Sequence, residues 1–158
     1  MAKKIVPEDF KIPKKLETDK FRLRILTIQD IDKDYDAVMG SEKHLLETKP
    51  FGPGDTWPTG LTKEQNLIDL AWHQKEFQKR NSFAYTVMNL DESECLGCVY
   101  VYPSPNEKYD ALVILWVRGS RKGLDNELYE KVRQWIKEKW PFNNVAYPGR
   151  ETDWEEFA

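Results

Sequence analysis

Cysteine and histidine are scarce in this 158-residue chain, which has two of each. Cys95 and Cys98 are too few for a disulfide framework, and His44 and His73 lie too far apart in sequence to complete a zinc set at finger spacing. A thioredoxin-type thiol pair needs a strand-to-helix junction, whereas Glu-Cys-Leu-Gly-Cys sits between two strand-like runs, so reduced thiols in or beside a sheet are the favoured reading. No apolar run approaches the roughly 18 residues of a membrane-spanning helix. No apolar leader opens the sequence, so the expected location is cytoplasmic. Neither sign of charge dominates: 24 Lys and Arg against 27 Asp and Glu give a net charge of −3. Counterion release rewards a concentrated basic surface, so nucleic acid is not an expected partner. The amphipathic helices lack the basic polar face of a membrane-surface helix.

Aromatic residues, at 13%, and hydrophobic residues, at 40%, are plentiful enough for a packed core. The six tryptophans are scattered over loop, helices, strand and tail, which fits packing better than a stacking platform for bases. Trp154, in the tail, is expected to be the one most open to a partner. Residues 1–20 interleave Lys3, Lys4, Lys11, Lys14 and Lys15 with Glu8, Glu17 and Asp19 and read as a solvated lead-in arm. Residues 21–158 read as one domain.

Phe21-Arg-Leu-Arg-Ile-Leu alternates apolar and basic residues, the period of a half-buried strand. Thr27 then caps a helix to about Gly40, with Ile28, Ile31, Tyr35, Val38 and Met39 as its apolar stripe. The Pro- and Gly-rich segment from Thr48 to Gly60 carries Phe51 and Trp57, which either shape a pocket or pin a surface loop to the core. Thr62 and Gln65 have capping-box spacing and start a helix to about Arg80 whose buried face is read as Leu67, Leu70, Ala71 and Phe77. His73 on this helix has no paired nucleophile in sequence and is read as structural. Ser82–Leu90 and Cys95–Tyr102 form a hairpin around an acidic turn, a further strand covers Ala111–Val117, and a helix covers Leu124–Trp140, ended by Pro141. A last short strand covers Asn144–Tyr147. The fold class is therefore α/β (an α+β mixed sheet), in the order β-α-α-β-β-β-α-β.

The most informative stretch is Ala111–Tyr129, in which an apolar strand ends at Arg118, passes through Gly119, Arg121, Lys122 and Gly123, and enters an amphipathic helix. Such a junction presents backbone N–H groups and a partial positive charge suited to a phosphate. The order of elements and the segment WVRGSRKGLDNEL resemble the Gcn5-related N-acetyltransferase (GNAT) family over residues 21–149. The resemblance implies a mostly antiparallel sheet with helices packed on it. It also implies acetyl-CoA as cofactor, held by the strand backbone at Trp116 and Val117 and by the loop residues Arg118, Gly119, Ser120, Arg121, Lys122 and Gly123. The family's loop reads Gln/Arg-x-x-Gly-x-Gly/Ala. Laying Gly123 on its central glycine puts Ser120 where Gln or Arg is expected and Asp125 where Gly or Ala is expected.

A carboxylate at Asp125, about 5 Å from a phosphate, would repel it by about 3 kcal/mol at an effective dielectric near 20. The alternative is that Asp125 caps the helix. Many family members carry a glutamate base on the corresponding strand; the nearest acid here is Asp110, which reads as a loop acid, since a base has to be shown by geometry. Tyr147 reads as core, and no catalytic residue is named. The family usually continues past its fifth strand, so either those elements are absent or a partner chain, as in a homodimer, completes the sheet edge. Two functions follow: an acyl-CoA-dependent N-acetyltransferase acting on a small-molecule or peptide amine, or a noncatalytic domain of the same shape that binds a small molecule or a protein.

Overall fold

The computed structural model describes residues 4–158. Six strands lie in the sheet in chain order: β1 (Lys15–Glu17), β2 (Phe21–Ile25), β3 (Phe83–Asn89), β4 (Cys95–Pro103), β5 (Ala111–Val117) and β6 (Val145–Ala146). All neighbours are antiparallel except β5 and β6, which run parallel. The helices are α1 (Ile31–Met39), α2 (Glu42–Thr48), α3 (Lys63–Gln78), α4 (Asp125–Lys139) and α5 (Trp154–Phe157). Among the described residues no helix is long and apolar enough to cross a membrane.

The central strands are buried on both faces, so their sequences are continuously apolar and successive residues feed two cores. On β5, Ala111, Val113, Leu115 and Val117 join the core that contains Leu128, Val132, Trp135 and Ile136 of α4. Leu112, Ile114 and Trp116 point to the other core, with Val38 of α1, Leu45 of α2 and Leu70 of α3. The alternation follows from the two-residue period of a strand. Gly97 of β4 is required by close approach: a Cβ there would lie 2.1 Å from the Trp116 carbonyl oxygen across the β4–β5 pair.

The eight expected elements are present in the expected order, with β1, α2 and α5 in addition. Lys3 lies outside the described residues, and residues 4–20 are not a solvated arm. Lys15–Glu17 pairs with Arg22–Arg24 as the edge strand, Val6 is 3% exposed, and Ile5, Phe10 and Ile12 pack on the α4 side of the sheet. The helix expected from Thr27 is broken into a 3₁₀ turn (Ile28–Asp30) and α1, which leaves Ile28 exposed. Asp30 closes a capping box with Thr27 at this turn: its Oδ2 accepts from the Thr27 N–H at 2.9 Å and its carboxylate is gripped by Arg24.

The Thr62–Gln65 capping box of α3 is formed. Its inward face differs from the one expected: Leu67 and Ala71 are exposed, and the buried line is Asn66 and Leu70, followed by the partly buried His73 and Phe77. Two polar residues occupy that line because Asn66 donates from Nδ2 to buried Asp34 of α1 at 2.9 Å, and His73 packs 5.2 Å from the ring of Tyr100.

Candidate functional site

Beyond the pairs Ala111–Val145 and Leu112–Ala146, β5 and β6 separate. β5 runs on to Val117, while the chain after β6 curls away. Pro148 has no N–H to continue a ladder. The Arg150 and Thr152 N–H groups instead donate to the Tyr147 carbonyl, and the Tyr147 N–H donates to Thr152 Oγ1 at 3.0 Å. Gly149, at φ +82°, makes the turn, and its backbone lies against Trp154, whose ring also packs on Gly52. The parting strands open a cleft of about 390 Å³ between Ile114–Val117 and Pro148–Arg150, closed by His44, Thr48, Lys49 and Pro50 on one side and by Trp154 and Asp125 on the other. Trp154 is therefore a wall of the cleft, not a tail residue offered to a partner.

Arg150 crosses this cleft. Its guanidinium donates to both Asp125 oxygens, at 2.7 and 2.8 Å, reaches the Leu115 carbonyl at 3.4 Å, and stacks over the Tyr129 ring at 5.2 Å. Asp125 therefore does not cap α4, whose N-cap is Leu124 with no side-chain cap. Nor does Asp125 stand as an uncompensated charge.

Of the residues singled out in sequence, Trp116 and Val117 line the cleft. Arg118 turns away from it, donating to the Cys95 carbonyl at 3.1 Å, to Ser120 Oγ at 3.0 Å and to Asp36 at 3.3 Å, with Glu94 at 3.4 Å. Arg121 also pairs with Glu94, at 3.0 Å. Gly119–Leu124 forms two short 3₁₀ turns kinked at Arg121 (φ −125°, ψ 25°), and the Gly119 N–H is taken by Ser41 Oγ at 2.8 Å. Gly119 and Lys122 border a separate shallow hollow with Ser41, His44 and Glu47, and Gly123 faces open space.

Asp110 accepts from the Asn143 and Asn144 N–H groups at 2.8 and 3.1 Å and so clamps the start of β5 to the loop before β6. Tyr147 is core, packed edge-on to Tyr129 at 5.6 Å, and burial raises its pKa. Cys95 and Cys98 are free and fully buried, and burial pushes the Cys95 thiol up to about 12. Among the described residues no group of three His, Cys, Asp or Glu is arranged to hold a metal.

A second pocket of about 390 Å³ lies on the same face of the sheet, between α1, α3, the 49–61 loop and β4. Both readings of that loop hold. Phe51 packs on Tyr100 at 5.4 Å and Trp57 on Trp116 at 5.8 Å, while Thr48, Lys49 and Pro50 line the cleft and Phe51, Asp55 and Trp57 line the pocket. Trp116 joins the two cavities: it walls the cleft, and its Nε1 donates at 3.0 Å to the hydroxyl of Tyr100, which walls the pocket. His73 lines the pocket as a neutral imidazole, its pKa lowered by burial to about 4. Asp34 does the same as a 3% exposed carboxyl whose pKa burial raises to about 6, with the bond from Asn66 opposing the rise.

Arg150, Asp34 and Asn66 were not singled out in sequence. A basic residue directly after Pro148-Gly149 was a usable signal for the first. Nothing local marks the other two, since both look like ordinary surface residues of a helix.

No family model matches the sequence, and no curated protein matches it. Solved structures do. The chain is similar to the ribosomal-protein-S5-alanine acetyltransferase of Vibrio fischeri, at 16% identity and a TM-score of 0.60 over 77% of this chain and 66% of that one. It is similar to a Salmonella typhimurium acetyltransferase described as modifying the N-terminal serine of a 50S ribosomal subunit protein, at 10% identity and a TM-score of 0.62, covering 81% and 70%. It is also similar to the microcin C7 self-immunity acetyltransferase MccE, solved with acetyl-CoA and AMP, at 11% identity and a TM-score of 0.60, covering 82% and 69%. The chain spans about two-thirds of the length of these proteins, and at such identities the likeness establishes the fold.

Proposed function

Starting from a Gcn5-related N-acetyltransferase fold, we propose that this chain is an acyl-CoA-dependent N-acetyltransferase, with the acyl donor in the cleft beside β5 and the acceptor amine in the second pocket. The observation that carries this reading is the parting of two parallel strands after Leu112 and Ala146. It leaves the β6-facing edge of β5 without a strand neighbour, alongside a cavity large enough for an extended chain.

That edge suits the amide groups of a pantetheine arm, because unpaired strand N–H and C=O groups accept an added strand-like partner. Bound acetyl-CoA would supply an activated thioester carbonyl and a thiol leaving group. The chain's own residues have separable tasks. The β5 backbone from Ile114 to Val117 orients the arm. Trp116 and Trp154 exclude water from it. Lys49 and Arg150 are the cations at the cleft, and Arg150 becomes available to a diphosphate when it lets go of Asp125. Trp116 and Tyr100 separate donor from acceptor by one side-chain layer, so an amine in the second pocket has a short path to the thioester.

A noncatalytic binding domain is the second reading. What favours it is the pair of kinked 3₁₀ turns over Gly119–Leu124, with the Gly119 N–H occupied by Ser41 and with Arg118 and Arg121 committed to carboxylates. Calorimetric titration with acetyl-CoA, followed by mass-spectrometric detection of acetylated product from a panel of small amines and N-terminal peptides, decides between them. Low-micromolar binding with product supports the enzyme. No binding at millimolar acetyl-CoA removes it.

A further inference from the structure

The second pocket combines two features that point to one kind of ligand. Its walls include Trp57, Trp72 and Tyr100, and three carboxylates, Asp34, Asp55 and Asp69, share the same space. Among the described residues none of the three forms an ion pair, whereas the buried or half-buried acids Asp30, Glu92, Glu94 and Asp125 are each matched by an arginine. Asp34 is nearly fully buried; among the described residues its side chain takes one hydrogen bond, from Asn66 to Oδ2, and no protein donor reaches Oδ1. Among the described residues His73 is the only basic side chain lining the pocket, and burial holds it neutral at physiological pH, so it places no positive charge there. A desolvated acid such as Asp34 is costly without a cation, the more exposed Asp55 and Asp69 add negative charge beside it, and aromatic faces attract cations, so the pocket is suited to a positive charge.

We propose that this pocket binds a small organic cation: an amine with an ammonium group that is held, still charged, by the Asp34, Asp55 and Asp69 carboxylates and the indole faces. A volume of about 390 Å³ suits a compact molecule more than a folded protein surface. A linear diamine fits the plan best, because one end can stay protonated among the acids while the other, uncharged, points past Trp116 toward the cleft. The substrate class rests on the acyltransferase reading above; cation binding does not, and can be measured with no acyl donor present.

The test is titration of the full chain with 1,4-diaminobutane and with tetramethylammonium, followed by tryptophan fluorescence and calorimetry. Butane-1,4-diol and succinate serve as neutral and anionic probes of the same length as the diamine. The expected result is saturable binding of both cations, at least tenfold weaker binding of the diol, and no binding of succinate. Asp69→Asn, at a half-exposed site that leaves the fold intact, should weaken the diamine about tenfold, and Asp34→Asn should do so while keeping the native circular dichroism. A diol that binds as tightly as the diamine, or a diamine affinity unchanged in both variants, overturns the proposal. So does acetylation of an N-terminal peptide by a protein that ignores both cations, an outcome that leaves the enzyme reading standing. Diamine binding with no acetyl transfer has the opposite meaning: the pocket assignment holds and the enzyme reading falls.

Discussion

Arg150 holds both carboxylate oxygens of Asp125, at 2.7 and 2.8 Å, across the mouth of the cleft that opens between β5 and the turn after β6. The pair joins the first turn of α4 to the turn that ends the sheet. It therefore braces the cleft and occupies Arg150, the cation on which the proposed diphosphate contact rests.

Asp125→Asn should free Arg150 for an anion and raise acetyl-CoA affinity about five- to thirtyfold, corresponding to the roughly 1–2 kcal/mol of a charge-assisted bidentate pair. Arg150→Ala should lower affinity by a similar factor and lower the melting temperature by a few degrees. Calorimetry and thermal denaturation read both. Equal affinities in the three proteins would remove Arg150 from the cofactor site.

Asp34 and His73 should give opposing contributions to the pH dependence of stability. Asp34 has a folded pKa of about 6 against an ordinary carboxylate value of 3.8, so the folded state binds its proton more tightly. Its destabilising effect is full above pH 6 and fades as pH falls toward 4. Asp34→Asn should therefore stabilise the protein at pH 7.5 by up to about 3 kcal/mol, the equivalent of that shift, with little gain left at pH 4. His73 has a folded pKa of about 4 against 6.5, so it costs stability progressively as pH falls from 6.5 to 4. His73→Phe should gain on the parent protein across that window, again by up to about 3 kcal/mol at its acid end. Urea denaturation at four pH values separates the two slopes.

Gly97→Ala should destabilise by about 3 kcal/mol or more, because a methyl group 2.1 Å from the Trp116 carbonyl oxygen forces β4 and β5 apart. The same displacement moves the strand that lines the cleft, so acetyl-CoA affinity should fall with stability. A variant of unchanged melting temperature would show that the strands are not held at this spacing.

The Trp116 Nε1 to Tyr100 hydroxyl bond, 3.0 Å long and buried, should reveal itself in a double-mutant cycle. Tyr100→Phe leaves an indole N–H without a partner and should cost about 1–3 kcal/mol. Trp116→Phe leaves the hydroxyl unpaired and adds a cavity. The double variant should cost less than the sum by about 1 kcal/mol. Strict additivity would mean that the bond contributes nothing.

Much of this architecture was readable locally. The Thr62–Gln65 capping box, the acidic hairpin turn, the period-two run of β2 and the apolar stripe of α4 are each specified within a few residues of chain, and each formed where its pattern lies. α2 escaped because seven residues are too few for a helical period to stand out. β1 escaped because its three residues form a strand only when Arg22–Arg24 lies alongside.

The strand-loop-helix at Val117–Asp125 shows the division most clearly. That a strand ends, a glycine-rich basic segment follows and a helix begins is written in the order of the residues, since propensity and period act over neighbours. Which way Arg118, Arg121 and Asp125 turn is not, because their partners Asp36, Glu94 and Arg150 are supplied by α1, by the β3–β4 turn and by the chain beyond β6. The pairing of Asp34 with Asn66 and the acid-and-aromatic pocket around them likewise exist only once α1, α3 and β4 are stacked. For the long elements backbone form is a short-range property that the local sequence determined, whereas β1 needed its neighbour strand to exist. The direction of a charged side chain depends on electrostatic partners distant in sequence, and those only the assembled sheet and helices could provide.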